Sequence, residues 1–338
     1  MEAVDVRGRF VWHQLATRDV PGARKFYSKL VGWKTMPWPL DPAYTVCHAD
    51  VGPVAGIMAI PAEAPAEMPS HWLQYIGTSN VDATAEAAVR AGGSVLKSPS
   101  DMQGAGRYAV LRDPQGAIFA VINPENARPE VIGVPPMGTF SWHELATTDN
   151  EAAFAFYSGL FGWEAMTRMD MGPTGIYLIF GWKGQQRGGM YIKPADAPMP
   201  ANWLPYVFVP SADKGFAWAT SSGGSEMLKP MDVPGGSRIA GIMDPSGAAF
   251  ALNSPAAAAA QAAAPKPKTA AKPKPQPKAK AKAKAKAKAA AKPKAKKKVV
   301  KKAAKKVAKK SARKSVKRAP KKKAAPRKKK SAGARRKK

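Results

Sequence analysis

Residues 10–19, FVWHQLATRD, return at 140–149 as FSWHELATTD. FYSKLVGW at 26–33 returns at 156–163 as FYSGLFGW, and HWLQY at 71–75 returns at 202–206 as NWLPY. GGS at 92–94 returns at 223–225, and DPQGAIFAVI at 113–122 returns as DPSGAAFALN at 244–253. Matches in one order at an offset of about 130 residues mark a duplicated domain. The chain must therefore build one fold twice, over 8–125 and 138–254. Between the copies, 126–137 is rich in Pro and Gly and reads as a linker.

Inside the first copy, residues 10–16 alternate apolar and polar and read as a strand. Asp19 is placed to cap a helix, Pro21 suits a first turn, and Ala23 to Leu30 forms a short amphipathic stretch ending at Gly32. Short strands are expected near 33–37, 44–48 and 55–60, then at 72–78. A helix over 81–91 stops at Gly92-Gly93, and strands follow at 94–97, 107–112 and 117–122. The order is βαβββ, twice per domain. Each Asp-Pro-x-Gly turn launches the last strand of its domain, with Asp bonding its own backbone and Gly closing the turn.

These motifs together, W-H-x-L-A-T-x-D, F-Y-x-x-L-x-G-W, G-G and D-P-x-G, resemble the vicinal oxygen chelate superfamily. That group holds glyoxalase I, extradiol dioxygenases and the bleomycin- and fosfomycin-resistance proteins. The resemblance implies an α+β fold, two tandem glyoxalase-like domains of paired βαβββ modules, each a curved sheet around a cleft. It also implies where a divalent metal would sit. Its first ligand position falls on Trp12 and Trp142, its second near Met58 and Met190. The third falls near Leu73 and Leu204, and the fourth on Ala120 and Ala251. All are apolar and offer no donor to a cation. No metal and no cofactor is therefore expected. A one-residue shift brings in His13 or His143 without an acidic partner, and these read as facing the helices and bonding locally. His48 and His71 have no counterpart in the second copy.

On the expected cleft face of the first strand lie Trp12, Gln14 and Ala16, replaced in the second copy by Trp142, Glu144 and Ala146. Glu144 is the matched cleft carboxylate, a base if desolvated beside Trp142, or the partner of a nearby arginine such as Arg238. Arg107 and Arg238 match each other; they hold an anionic group of a ligand or pin the turn through its Asp. Tyr75 and Tyr206 also match, and with Trp72 and Trp203 they are expected to bring rings to each cleft, which suits flat organic ligands. The candidate ligand-binding set is thus Trp12, Gln14, Tyr75, Arg107, Trp142, Glu144, Tyr206 and Arg238, with Glu144 and Arg238 as candidate catalytic groups. No glycine-rich phosphate loop or nucleophilic triad is present, which argues against nucleotide hydrolysis and acyl transfer.

The remaining residues, 256–338, hold 36 of the 55 Lys and Arg and none of the 23 Asp and Glu. The body keeps 19 basic against 23 acidic residues, a net charge of −4. It also keeps every aromatic residue. A Lys/Ala/Pro-rich segment cannot bury enough apolar surface to offset its ordering entropy, so the tail reads as disordered. From Lys296 the pattern changes: Lys296, Lys297, Lys298, Lys301, Lys302, Lys305, Lys306, Lys309, Lys310, Arg313, Lys314, Lys317 and Arg318 alternate in groups with small or apolar pairs. A helix induced on a phosphate surface would align those pairs, and Pro320 would end it. The segment resembles the basic tails of linker histones and of histone-like nucleoid proteins. It implies sequence-independent binding to DNA or RNA through the backbone. The lone Cys47 excludes an intrachain disulfide, no signal peptide or membrane span is read, and no Trp, Phe or Leu in the tail could insert into lipid. A cytoplasmic, nucleoid-associated monomer follows, its two domains paired within one chain. It would be a metal-independent small-molecule binder tethered to nucleic acid; alternatives are a divergent lyase or dioxygenase and a bleomycin-resistance-like sequestration protein.

Overall fold

The computed structural model describes residues 4–256 apart from Pro198. The tail residues named above, Lys296 to Arg318, lie outside the described residues. The first copy runs β1 (Phe10–Thr17), α1 (Val20–Leu30), β2 (Lys34–Trp38), β3 (Asp41–Ala49), β4 (Gly52–Ala59), β5 (His71–Gly77), α2 (Val81–Arg90), β6 (Ser94–Met102), β7 (Gly106–Arg112) and β8 (Ile118–Pro124). The second repeats it: β9 (Phe140–Thr147), α3 (Asn150–Phe161), β10 (Glu164–Asp170), β11 (Ile176–Trp182), β12 (Gln185–Ile192), β13 (Asn202–Phe208), α4 (Ala212–Ser221), β14 (Ser225–Val233), β15 (Ser237–Met243) and β16 (Ala249–Pro255). Among the described residues no helix is long and apolar enough to cross a membrane.

Local chemistry fixes these elements. Asp19, Asn80, Asp149 and Ser211 each cap a helix by accepting a backbone N–H three residues on. Gly162 ends α3 at φ 72°, a left-handed position where a side chain would be strained. In the Asp-Pro-x-Gly turns, Asp113 Oδ1 accepts the amides of Gln115 and Ala117, and Asp244 Oδ1 those of Ser246 and Ala248.

Each copy forms one mixed eight-stranded sheet, in the orders β2-β3-β4-β1-β5-β8-β7-β6 and β10-β11-β12-β9-β13-β16-β15-β14. The two modules of a copy meet antiparallel at β1 and β5, with Gln14 opposite Leu73. The sheet curls until its outer hairpins touch: a Cβ added at Gly104 would meet Leu40 Cδ1 at 2.5 Å and Trp38 at 3.4 Å.

The hydrophobic cores are not those of the individual copies. One joins α2 and β7–β8 of the first copy to α3, β9, β11 and β12 of the second, through Leu111, Phe119, Phe156, Tyr157 and Trp163. The other joins α1 and β3–β4 to α4 and β15–β16, through Phe26, Tyr27, Trp33, Ile242 and Phe250. Polar relays cross both. Trp203 Nε1 donates to Tyr157 Oη at 2.9 Å, and Tyr157 donates to Asp113 of the other copy at 3.0 Å. Trp72, Tyr27 and Asp244 repeat this, each link 3.0 Å. Trp33 Nε1 reaches Gly138 O at 2.7 Å, and Trp163 Nε1 reaches Gly8 O at 2.9 Å.

Two expectations are corrected here. His13 and His143 do more than bond locally: His143 Nδ1 meets the Arg187 carbonyl of its own copy at 3.3 Å, but the two Nε2 atoms lie 2.7 Å apart across the junction, His13 stacked on Phe140 and His143 on Phe10. Trp72 and Trp203 do not line clefts, because both are buried in the shared cores.

Candidate functional site

The inner face of the first sheet bounds a cavity of about 710 Å³. Alternation along β1 turns Leu15 into the shared core and Trp12 and Gln14 into this cavity. On its floor, Trp12 Nε1 donates to Tyr44 Oη at 2.9 Å. Tyr44 donates to Gln14 Oε1 at 3.4 Å, and Tyr75 donates to the same oxygen at 3.1 Å. Burial pushes both phenols above their ordinary range, so they act as neutral donors. Trp38, Tyr108, Met36 and Met102 supply further apolar wall.

The second sheet repeats the floor with one change. Trp142 Nε1 donates to Tyr177 Oη at 3.0 Å. Tyr177 and Tyr206 then donate to Glu144 Oε2 and Oε1, at 2.8 and 3.0 Å. Burial raises the Glu144 carboxyl above its ordinary value, and the two phenols partly oppose that rise. Tyr191 stands close by, stacked on Tyr177, its phenol pushed up to about 12 by burial and by the Glu144 charge.

Tyr44 and Tyr177 were legible as an aligned pair, 133 residues apart in matching strands, yet no short motif surrounds them. Both cover a glycine: a Cβ at Gly56 or Gly189 would collide with the phenol. That is why the fourth strand carries glycine at the cleft centre.

Other expected residues fall elsewhere. Arg107 shares a strand face with the core residues Ala109 and Leu111, and Arg238 with Ala240 and Ile242, so both arginines leave the cleft face. Arg107 binds Asp82 at 2.6 Å and Asp101 at 3.1 Å; Arg238 binds Asp213 at 2.7 Å and Asp232 at 3.0 Å. Neither pins the Asp-Pro-x-Gly turn, and Arg238 does not meet Glu144. The pairing also shifts one position: Tyr191, opposite Ala146, is the equivalent of Met58, whereas Met190 is buried in the core.

The residues at the superfamily's ligand positions do not fit a divalent cation. Trp12, Leu73 and Ala120 pack together in the first cleft, with Met58 beside Ala16. In the second, Glu144 is one carboxylate whose oxygens already serve two phenols, among Trp142, Tyr191, Leu204 and Ala251. Among the described residues no three His, Cys, Asp or Glu side chains converge.

A family model described as the glyoxalase, bleomycin resistance protein and dioxygenase superfamily matches residues 9–121. CFP32 of Mycobacterium tuberculosis, provisionally termed a glyoxylase, is 32% identical over 248 residues, spanning 72% of this chain and 94% of that protein. The anthracycline biosynthesis protein DnrV of Streptomyces peucetius is 33% identical over 275 residues, spanning 74% and 96%. Among solved structures, the Mn(II)-bound glyoxalase of Novosphingobium aromaticivorans shares the fold at a TM-score of 0.53 and 16% identity, covering 73% of this chain and 82% of that one. The 2,2',3-trihydroxybiphenyl 1,2-dioxygenase of Sphingomonas wittichii does so at 0.54 and 13%, covering 73% and 90%.

Proposed function

The chain belongs to the glyoxalase, bleomycin-resistance and dioxygenase superfamily, and from that footing we propose that it is a metal-independent binder of small organic molecules, tethered to nucleic acid by its tail. The observation that carries the first half is the cavity of about 710 Å³ with Trp12, Leu73 and Ala120 where a metal site would need donors. A concave site of that size with aromatic walls suits a flat ligand held by stacking and a few hydrogen bonds. Relatives named for anthracycline biosynthesis fit a cleft for organic molecules.

The tail supports the second half by charge alone. Its 36 cations and absence of acids favour backbone contacts and counterion release, without base reading. Lys296 to Arg318 carry 13 of those cations in groups spaced by small or apolar pairs. A nucleoid-associated, cytoplasmic monomer is the corresponding setting. The test is a mobility-shift titration of the full chain beside residues 1–255 on duplex DNA and on RNA. The full chain should bind both, weakening as salt rises; equal binding by 1–255 would remove the tether.

Glu144 favours a second reading, catalysis in the second cleft. A carboxyl raised by burial and flanked by two phenols has the make-up of a general base. Arg238, on the other face, takes no part in it. Glu144→Gln should then abolish turnover; unchanged turnover would leave binding as the whole function.

A further inference from the structure

We propose that the first-domain cavity selects planar aromatic molecules bearing an anionic group, the rings between the aromatic walls and the anion at Arg9 and Arg128. This deepens the binding reading above and rests on it.

The strand register sorts the cavity into two ends. Strand β3 runs antiparallel to β4, which is parallel to β1, so Tyr44 sits near Gln14 and His48 lies towards the Phe10 end. Arg9 enters at that same end, immediately before β1. Arg128 reaches it from the linker, donating to Val51 O at 3.3 Å beside Gly52. Arg9, Arg128 and His48 are the basic side chains lining the cavity, and no Asp or Glu lines it.

Among the described residues neither guanidinium has a carboxylate in ion-pair contact, although the Asp5 charge acts on Arg9 from farther off. Arg9 donates to the backbone oxygens of Asp5, at 3.3 Å, and of Arg128, at 3.0 Å. The Asp5 carboxylate goes instead to Lys183 Nζ at 3.1 Å, and Glu130 goes to Arg187. Backbone carbonyls satisfy N–H groups but leave the charge in place. Burial lowers Arg9 from its ordinary value, so an incoming anion would recover lost solvation.

The cavity floor agrees. Tyr44 and Tyr75 both donate to Gln14 Oε1, which leaves the Gln14 amide N–H groups as the free polar function. Both ends of the site therefore offer donors. In the second cleft Glu144 replaces Gln14 and would repel an anion, and Thr139 stands at the position of Arg9. Binding should accordingly be one molecule per chain.

The test titrates the full chain with 4-nitrobenzoate and with methyl 4-nitrobenzoate, reading tryptophan quenching in about 0.3 M KCl to screen the tail. All nine tryptophans lie in the body and Trp12 and Trp38 line the cavity, so the tail is silent in this readout. The acid should bind about tenfold more tightly than the ester, the gain expected of a charge-assisted contact. Arg128→Gln, an exposed position, and the double variant with Arg9→Gln should remove that preference while the ester still binds. Gln14→Glu should likewise weaken the acid alone. Equal affinities for acid and ester, or an unchanged acid affinity in the arginine variants, overturn the anion selectivity and leave the cavity as a binding site. If neither compound quenches, the binding reading itself falls.

Discussion

Tyr157→Phe removes one hydroxyl from α3 and breaks a relay that spans the two copies. Trp203 Nε1 loses its acceptor and Asp113 Oδ2 loses its donor, while Asp113 Oδ1 keeps the amides of Gln115 and Ala117. Tyr157 is fully buried, Trp203 is 4% exposed and Asp113 3%, so water cannot replace the hydroxyl without rearrangement. A stranded buried group costs about 1–3 kcal/mol, more for a charged one. Two such groups give a loss of about 3 kcal/mol, or roughly 6–12 °C in Tm for a body of this size. Tyr27→Phe should match it, since Trp72 and Asp244 form the same relay. Burial holds the Asp113 carboxyl above its ordinary value, with the Tyr157 hydroxyl among the groups that oppose the rise. Stability from such a raised acid is full below its ordinary pKa and is lost as pH rises through the raised one. Removing the donor raises it further, so the deficit should be larger at neutral pH than in mild acid. Urea denaturation of the full chain, followed by tryptophan fluorescence, reads both quantities. A loss below about 0.5 kcal/mol in both variants would refute the view that the relays hold the copies together.

Four further outcomes follow from the same geometry. A protease site placed in the exposed stretch Val131 to Val134 should be cut without separating the halves, and residues 1–125 alone should not yield a folded monomer; size-exclusion chromatography checks both. Burial drives His13 well below its ordinary pKa and His143 down to about 3, so stability should be full above about pH 6.5 and be lost as pH falls from there towards about 3. Denaturation midpoints against pH should flatten over this window when both histidines become Gln. Glu144 is raised by burial, so its contribution is present below its ordinary pKa and lost as pH rises; Glu144→Gln should gain stability relative to the parent on going from mild acid to neutral, and a relative loss in those melts would contradict the burial argument. If a quarter of the 36 tail cations engage duplex DNA, log K should fall with log salt at a slope of about −8, measured by fluorescence anisotropy, and 1–255 should show no such slope.

Much of the fold was open to a reader of the sequence because its signals are local. Asp19, Asn80 and the Asp-Pro-x-Gly turns announce element boundaries by their own hydrogen bonds, and the alternation in β1 settles which face carries Trp12 and Gln14. What escaped was long-range pairing. Nothing near Trp72 says whether its ring turns to a cleft or to the other copy, because Trp suits both. Nothing near Arg107 reveals Asp82, 25 residues away on a helix whose rotation the sequence does not specify. The slip from Tyr191 to Met190 came from a spacing that grows from 130 residues at Gln14 and Glu144 to 133 at Met58 and Tyr191, where an error of one residue exchanges the faces of a strand.

The duplication explains which motif residues do what. FYSxLxGW, the Trp of HWLQY and NWLPY, and the Asp of DPxG all serve the junction: Tyr27 and Tyr157 bridge to the opposite turn, and Trp33 and Trp163 bond the opposite backbone. Their recurrence therefore reports how two curled sheets stack and carries no information about ligand chemistry. The clefts, released from that role, diverged at Gln14 and Glu144 while keeping the surrounding Trp and Tyr frame. A neutral amide and a carboxylate of the same length in the same frame would give two sites of similar shape and opposite preference for charge. Gln14→Glu should therefore cost the first cleft its hold on anions, whereas Glu144→Gln should remove repulsion in the second without conferring that hold, because Thr139 stands there at the position of Arg9.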